Sequence, residues 1–201
     1  MRRPELPFLL LLAVLTLLVY LPTLNHELIW DSKPVIEENA LLKGNFAPLA
    51  PFQSGYWATT SQRSDRGYDY YRPVMILSFM VEKTLWGLSP FRLRLTNLAL
   101  FIAALFVLYF FLLRQTPNAA VAKIATLIYA LFPIHLDNIT WVVGRCDLLM
   151  LLFGMLSLLW FDHFLEKRTL LPALLALSSF SLALFSKEAA FSEAQNLVLP
   201  L

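Results

Sequence analysis

Cysteine is almost absent: Cys146 is the only one in 201 residues. A lone thiol forms no intrachain disulfide, and it excludes both CxxC redox chemistry and a thiol-based metal site. Charge is scarce as well. Charged residues make up 15% of the chain, against about 25% in an average soluble domain. The formal net charge is +2, so no strongly basic character points to nucleic acid. No internal repeat of about 20–50 residues and no low-complexity tract is visible in the 201 residues either.

What fills the space is apolar. Hydrophobic residues reach 58% and aromatics 14%, with 16 Phe and 5 Trp, and the mean hydropathy is +0.63. One small soluble core cannot hide that much apolar surface, whereas a bilayer can. The composition predicts an all-α integral membrane protein. A span needs about 20 mostly apolar residues, and five stretches come near that: Pro7–Leu24, Leu95–Leu113, Ala119–Ile134, Leu148–Phe164 and Leu170–Phe185. The N-terminal run MRRPELPFLLLLAVLTLLVYLPTL is followed by no small-x-small cleavage site, and it reads as an uncleaved first span rather than a signal peptide.

Lys and Arg of short connections mark the cytoplasmic side. Arg2 and Arg3, Arg114 and Lys123, and Lys167 and Arg168 all fall on one side if the five spans alternate, which puts the N-terminus in the cytoplasm. The opposite face, that of a bacterial periplasm or an endoplasmic reticulum lumen, then carries the long Asn25–Arg94 loop, the His135–Asp147 connection and the segment after Phe185. Residues 1–201 read as a single membrane domain, the N-terminal part of a larger one, with 25–94 as its outside loop. Within that loop Gln53–Tyr70 reads as exposed or mobile. Pro73 suits a first helical turn, and Val74, Leu77, Val81 and Leu85 recur at helical spacing beside Ser78 and Glu82. Pro73–Trp86 is therefore expected to be an amphipathic helix lying at the membrane surface, anchored by Trp86.

The polar residues of this face are the functional candidates. Asp31, in LIWDSKPVIEEN, is either a general base or a solvated loop acid; Glu37 and Glu38 read as solvated. Tyr70-Tyr71-Arg72-Pro73 sets a guanidinium beside aromatic rings, where it suits a phosphate gripped by two bonds or anchorage to lipid headgroups. His135, Asp137, Arg145 and Asp147 lie in PIHLDNITWVVGRCDLL, expected as a short outside helix with Asp137, Trp141 and Arg145 on one face. That run is a structural Asp–Arg network or a functional cluster, because ionisable residues at membrane depth are expensive to keep. His135 and Asp137 are too few for a metal site. Asn138-Ile139-Thr140 is formally a glycosylation sequon, set too close to a span for ready use. In Ser186-Lys187-Glu188, Lys187 either neutralises a phosphate or pairs with Glu188 as an interfacial anchor.

Four stretches in order, IWDSKPVIEEN, YRPVMILSFMVEKTLWGLSPFRLRLTNLALF, ALFPIHLDNITWVVGRCDLL and LFSKEAAF, run from Trp30 to Phe191. Together they resemble the N-terminal membrane region of GT-C-type glycosyltransferases, in particular the O-mannosyltransferase-like proteins that carry tetratricopeptide repeats. The resemblance implies a partial GT-C-like fold and inverting transfer of a sugar, such as mannose, from a polyprenyl-phosphate donor to a protein or glycan hydroxyl at the outer or lumenal face. It implies that Asp31 is the catalytic acid of the first outside loop, activating the acceptor. Departures are visible: Ser32 stands where relatives often have a second acid, and Arg94 and Phe101 stand where they often have His. Phe132, Pro133, His135 and Asp137 replace His-Pro-x-His-x-Glu.

Such a donor needs cations near its phosphate, here Arg72, Arg145 or Lys187, and an apolar groove for its tail. No cofactor is clearly required, and a divalent cation held by Asp31 with Glu37 or Asp137 is only weakly supported. Two other readings stay open, a polytopic transporter and a non-catalytic membrane scaffold. The apolar stretch from Asn196 to Leu201 reads as the entry to another span.

Overall fold

The computed structural model describes residues 5–60 and 70–190. Among them every regular element is helical. Three helices are long and apolar enough to cross a membrane: Leu6–Asn25, Pro90–Gln115 and Val142–Lys167. The first comprises α1 (Leu6–Tyr20) and a 3-10 extension. The second is α4 (Pro90–Gln115), and the third is α7 (Arg145–Lys167) with the turn before it. The other two expected spans form α5 (Ala119–Leu131) and α8 (Leu170–Ser186). At 1.5 Å per residue these reach only about 20 and 26 Å, short of a hydrocarbon core of about 30 Å.

The helices alternate in direction. One end of the bundle gathers Glu5, Lys123, Arg114, Asp162 and Glu166. Lys123 meets Glu5 at 3.3 Å, and Arg114 pairs with both Asp162 and Glu166. Tyr109 donates to Glu5. The opposite end holds the connections, and most of the remaining polar residues lie there. The α1, α4, α5 and α7 helices share an apolar core that includes Leu12, Tyr20, Phe101, Leu105, Tyr109, Ala130 and Leu148. Ser157 Oγ of α7 donates to the Ala176 carbonyl of α8 at 2.9 Å.

The long segment between α1 and α4 is folded rather than loose. A π-helical turn (Pro34–Glu38), a short α2 (Ala40–Lys43), a 3-10 turn (Ala50–Gln53) and α3 (Pro73–Trp86) pack on the ends of α4 and α7. Their shared core includes Val35, Trp57, Met75, Phe79, Leu93, Val142 and Cys146. The expectation of exposure over Gln53–Tyr70 fails in its described part, where Tyr56, Trp57 and Thr60 are buried; residues 61–69 lie outside the described residues. So do Arg2, Arg3, Phe191 and the Asn196–Leu201 stretch.

The α3 helix begins at Pro73 and ends at Gly87, whose φ of 83° stops it. Met75, Ile76, Phe79, Met80 and Glu82 turn inward, while Val81, Leu85 and Trp86 are exposed. Of the stripe chosen by spacing, Val74 is buried and Leu77 half-buried, while Val81 and Leu85 are exposed. Helix α4 starts at Pro90, ahead of the expected Leu95, because Ser89 caps it. Arg94 sits fully buried in its second turn. That guanidinium donates to four backbone carbonyls: His26 and Glu27 after α1, Pro90 at the head of α4, and Thr140 at 2.9 Å. Arg94 thus ties three segments together through carbonyl dipoles.

Candidate functional site

Asp31 follows Trp30, whose φ of 47° is left-handed. Such backbone costs a non-glycine residue about 1–3 kcal/mol. It opens a turn in which Ser32 N–H reaches the Ile29 carbonyl at 3.0 Å and Val35 N–H reaches the Asp31 carbonyl at 3.2 Å. The result is a half-buried Asp31 beside a Trp30 ring that is 75% exposed. The Trp30 ring meets Trp141 edge-on at 6.3 Å, which joins the Asp31 turn to the connection between α5 and α7.

That connection is not one continuous helix. The α6 helix (His135–Thr140) stops at Trp141, which is extended with ψ of 105°, and a 3-10 turn (Val142–Gly144) leads into α7. Gly144 packs against the Asn138 backbone, where an added Cβ would lie 3.0 Å from its Cα. The expected common face of Asp137, Trp141 and Arg145 is therefore broken: Asp137 is exposed and Arg145 is fully buried. His135 is buried between the rings of Phe101 (4.9 Å) and Tyr129 (4.4 Å). Burial pushes its pKa down, favouring the neutral imidazole.

Arg145 is committed inside the protein. It pairs with Glu82 at 2.7 Å, donates to Asn97 Oδ1 at 2.7 Å and to the Leu93 carbonyl at 3.0 Å, and lies 4.2 Å over the Phe79 ring. Glu82 also accepts from Trp86 Nε1 at 3.2 Å and from Thr96 Oγ1 at 2.8 Å. Glu82, Arg94 and Asn97 were not among the sequence candidates. The available signal was their chemistry: polar groups inside otherwise apolar helices.

Four candidates do converge. Arg72 forms a fork on Glu188, with Nε donating to Oε2 at 3.0 Å and Nη2 pairing with Oε1. Its Nη1 also reaches Cys146 Sγ at 3.7 Å, and that thiol reaches Asp147 Oδ2 at 3.6 Å. Asp147 in turn pairs with Lys187. The guanidinium lies over the rings of Tyr70 (4.4 Å) and Tyr56 (5.5 Å). Tyr71 stands alongside, its hydroxyl donating to the Phe52 carbonyl at 2.9 Å and its ring against Phe185 at 6.1 Å. Two cations and two carboxylates thus alternate where the head of α3, the head of α7 and the tail of α8 meet. Burial acts to raise the Glu188 pKa, but the Arg72 bond and charge outweigh it and hold it below its ordinary value. Among the described residues no three His, Cys, Asp or Glu side chains gather as a metal site requires.

No family model matches the chain, and no solved structure matches it significantly. Curated relatives do. The chain is similar to membrane glycosyltransferases of the protein O-mannosyl-transferase group, as its four ordered motifs imply. It is 30% identical to mouse protein O-mannosyl-transferase TMTC2 over 147 residues, covering 73% of this chain and 18% of the relative. It is 31% identical to the Xenopus laevis tmtc2 protein over 154 residues, 75% of this chain and 18% of that one. Mouse TMTC3 is 30% identical over 131 residues, 65% and 14%. The chain spans less than a fifth of the length of these relatives.

Proposed function

We propose that this chain forms part of the outside-face site of a membrane glycosyltransferase. In this reading the donor is a sugar, such as mannose, on a polyprenyl phosphate, and the acceptor is a hydroxyl of a protein or glycan. The membrane is the bacterial inner membrane or that of the endoplasmic reticulum, with the N-terminus in the cytoplasm. The observation that carries the reading is the alternating cluster Arg72–Glu188 and Lys187–Asp147, on a chain whose relatives are O-mannosyl-transferases. Its two cations sit at one end of an apolar bundle, where the phosphate of a membrane-bound donor would arrive.

The steps divide among the residues as follows. Arg72, steadied by Tyr70 and Tyr56, and Lys187 bind the donor phosphate and stabilise the charge that grows on it as the sugar leaves, with Tyr71 alongside. Glu188 and Asp147 hold those side chains in place beforehand. Asp31 takes the proton of the acceptor hydroxyl, which then attacks the sugar carbon and inverts it. Arg145 acts through α7, fixing the helix head that carries Asp147. Exposed Asp137 lines the acceptor side, near the Trp141 ring that meets Trp30, and buried His135 supports it from within.

Replacement of Asp31 by Asn in the full-length protein tests this. Transfer is expected to fall by about 10²–10⁴-fold, the usual reach of a general base, with insertion and folding unchanged. Near wild-type turnover would remove Asp31 from the reaction, whereas absence of transfer by the unmutated full-length protein would favour the transporter or scaffold reading.

A further inference from the structure

A second feature lies on the other flank of α3, away from the Arg72 cluster. Trp86, Phe91, Arg92, Leu95, Thr96 and Ala99 line a groove of about 680 Å³. Positions 92, 95, 96 and 99 fall on one face of α4, so the groove runs along the helix for about 10 Å. It starts at the end of the bundle that carries the connections and descends along a helix long enough to cross a membrane. Its head is cationic and its body apolar. Trp86, Phe91 and Leu95 are exposed, as surfaces that face hydrocarbon are. The Arg92 side chain is also exposed, and it donates to the Trp86 carbonyl. A guanidinium has five donors, and among the described residues no carboxylate pairs with Arg92.

We infer that this groove is a binding site for an anionic phospholipid, with the headgroup phosphate on Arg92 and one acyl chain along Leu95 and Ala99. Charge complementarity and depth select this occupant. A cation at the boundary with an aromatic anchor beside it matches a headgroup, and the strip below offers only methyl and ring surface to a chain. A soluble anion would use Arg92 and leave the strip bare. A soluble peptide would have to cross the headgroups to reach Ala99. The occupant also contacts the buried network, because Trp86 and Thr96 both bind Glu82, the partner of Arg145. The inference does not depend on sugar transfer; it depends on α4 crossing the bilayer.

The test uses the 201-residue chain in phosphatidylcholine nanodiscs doped with a phosphatidylglycerol carrying a diazirine on its acyl chain. After photolysis, the labelled peptides are mapped. Cross-links are expected to concentrate on residues 91–99. Unlabelled phosphatidylglycerol should suppress them at a concentration at least about tenfold below that of phosphatidylcholine, the factor worth one charge contact of about 1.4 kcal/mol. Arg92→Gln should erase that preference. Ala99→Trp, which fills the apolar strip at an exposed position, should cut the cross-links several-fold while leaving Arg92 in place. Equal competition by the two lipids, or labelling unchanged in both variants, would overturn the site and leave only ordinary lipid contact. Repeating the mapping on the full-length protein covers the last case: absence of label there would assign the groove to another segment of the chain, and capture of a polyprenyl phosphate in preference to phosphatidylglycerol would assign it to that lipid. Either result overturns the proposal.

Discussion

Arg145 and Glu82 form an ion pair 2.7 Å long in which the side chains are 0% and 2% exposed. The pair joins the head of α7 to α3, and Asn97 and Leu93 bring in α4. An Arg at a helix N-terminus opposes the helix dipole, so the surrounding partners are what hold it there. Removing one member leaves a buried charge without its counter-ion, which costs about 3–5 kcal/mol. Glu82→Gln and Arg145→Met are each expected to lower the thermal midpoint in detergent strongly. The double change Glu82→Leu with Arg145→Met should cost less than the sum of the two. A surface-like loss of under about 1 kcal/mol in either single variant would contradict the buried pair.

Much of the helical frame was legible because the runs before Asn25, from Leu95 and from Leu148 are continuous enough to need no partner information. The inward face of α3 was not. Val74, Met75, Ile76, Leu77, Phe79, Met80 and Val81 are apolar on nearly every side of the helix, so spacing could not choose among them. Tertiary partners decided the matter: Glu82 points inward to Arg145 of α7 and Thr96 of α4. The cluster members Arg72, Asp147, Lys187 and Glu188 were visible individually. Their pairing was not, because Arg72 and Glu188 are 116 positions apart, and local sequence carries no record of which distant charge a residue meets. The break at Trp141 was hidden for a related reason: an uninterrupted helical count runs straight through it, and only the packing of Gly144 on Asn138 shows where the chain turns.

Burial of Cys146 changes how topology is best measured. The thiol is 1% exposed and sits between Arg72 and Asp147. A membrane-impermeant maleimide is therefore expected to leave the native protein unlabelled from either side and to react only after denaturation. Leu49 is 72% exposed on the folded loop, so Leu49→Cys in a Cys146→Ala background reports the loop's side directly. Labelling is expected in intact cells or right-side-out vesicles. Labelling solely from the cytoplasmic side would reverse the proposed orientation.

Glu188 gives a pH signature with a definite sign. Its folded pKa lies below the ordinary 4.5, despite burial, because Arg72 bonds and attracts the carboxylate. A depressed carboxylate pKa contributes stability that is present above the unfolded value and is lost as pH falls through the folded one. The gap in thermal midpoint between wild type and Glu188→Gln should thus be constant from pH 7 to about 5.5, then close below about 4.5 as both proteins come to carry a neutral group. A gap that widens on acidification would mean that Glu188 is not held ionised by Arg72.

Arg72 separates anchoring from donor binding. Its fork on Glu188 and its stacking on Tyr70 and Tyr56 fix the guanidinium plane. Desolvation acts to lower its pKa, but the Glu188 bond and nearby negative charge more than offset this and keep it firmly cationic. Lysine keeps the charge and loses the fork. In the full-length protein, Arg72→Lys is expected to insert and fold while the KM for a polyprenyl-phosphate sugar rises about tenfold or more. That is the loss of one charge-assisted bond of about 1.5–3 kcal/mol. Arg72→Ala should raise it further and lower kcat as well, because the contact strengthens as charge grows on the leaving phosphate. Glu188→Gln supplies the control, since it breaks the anchor but leaves the cation. If Arg72→Lys, Arg72→Ala and Glu188→Gln all lower the thermal midpoint while donor KM and kcat both stay constant, Arg72 is an anchor of α3 to the tail of α8 and the phosphate must be bound elsewhere.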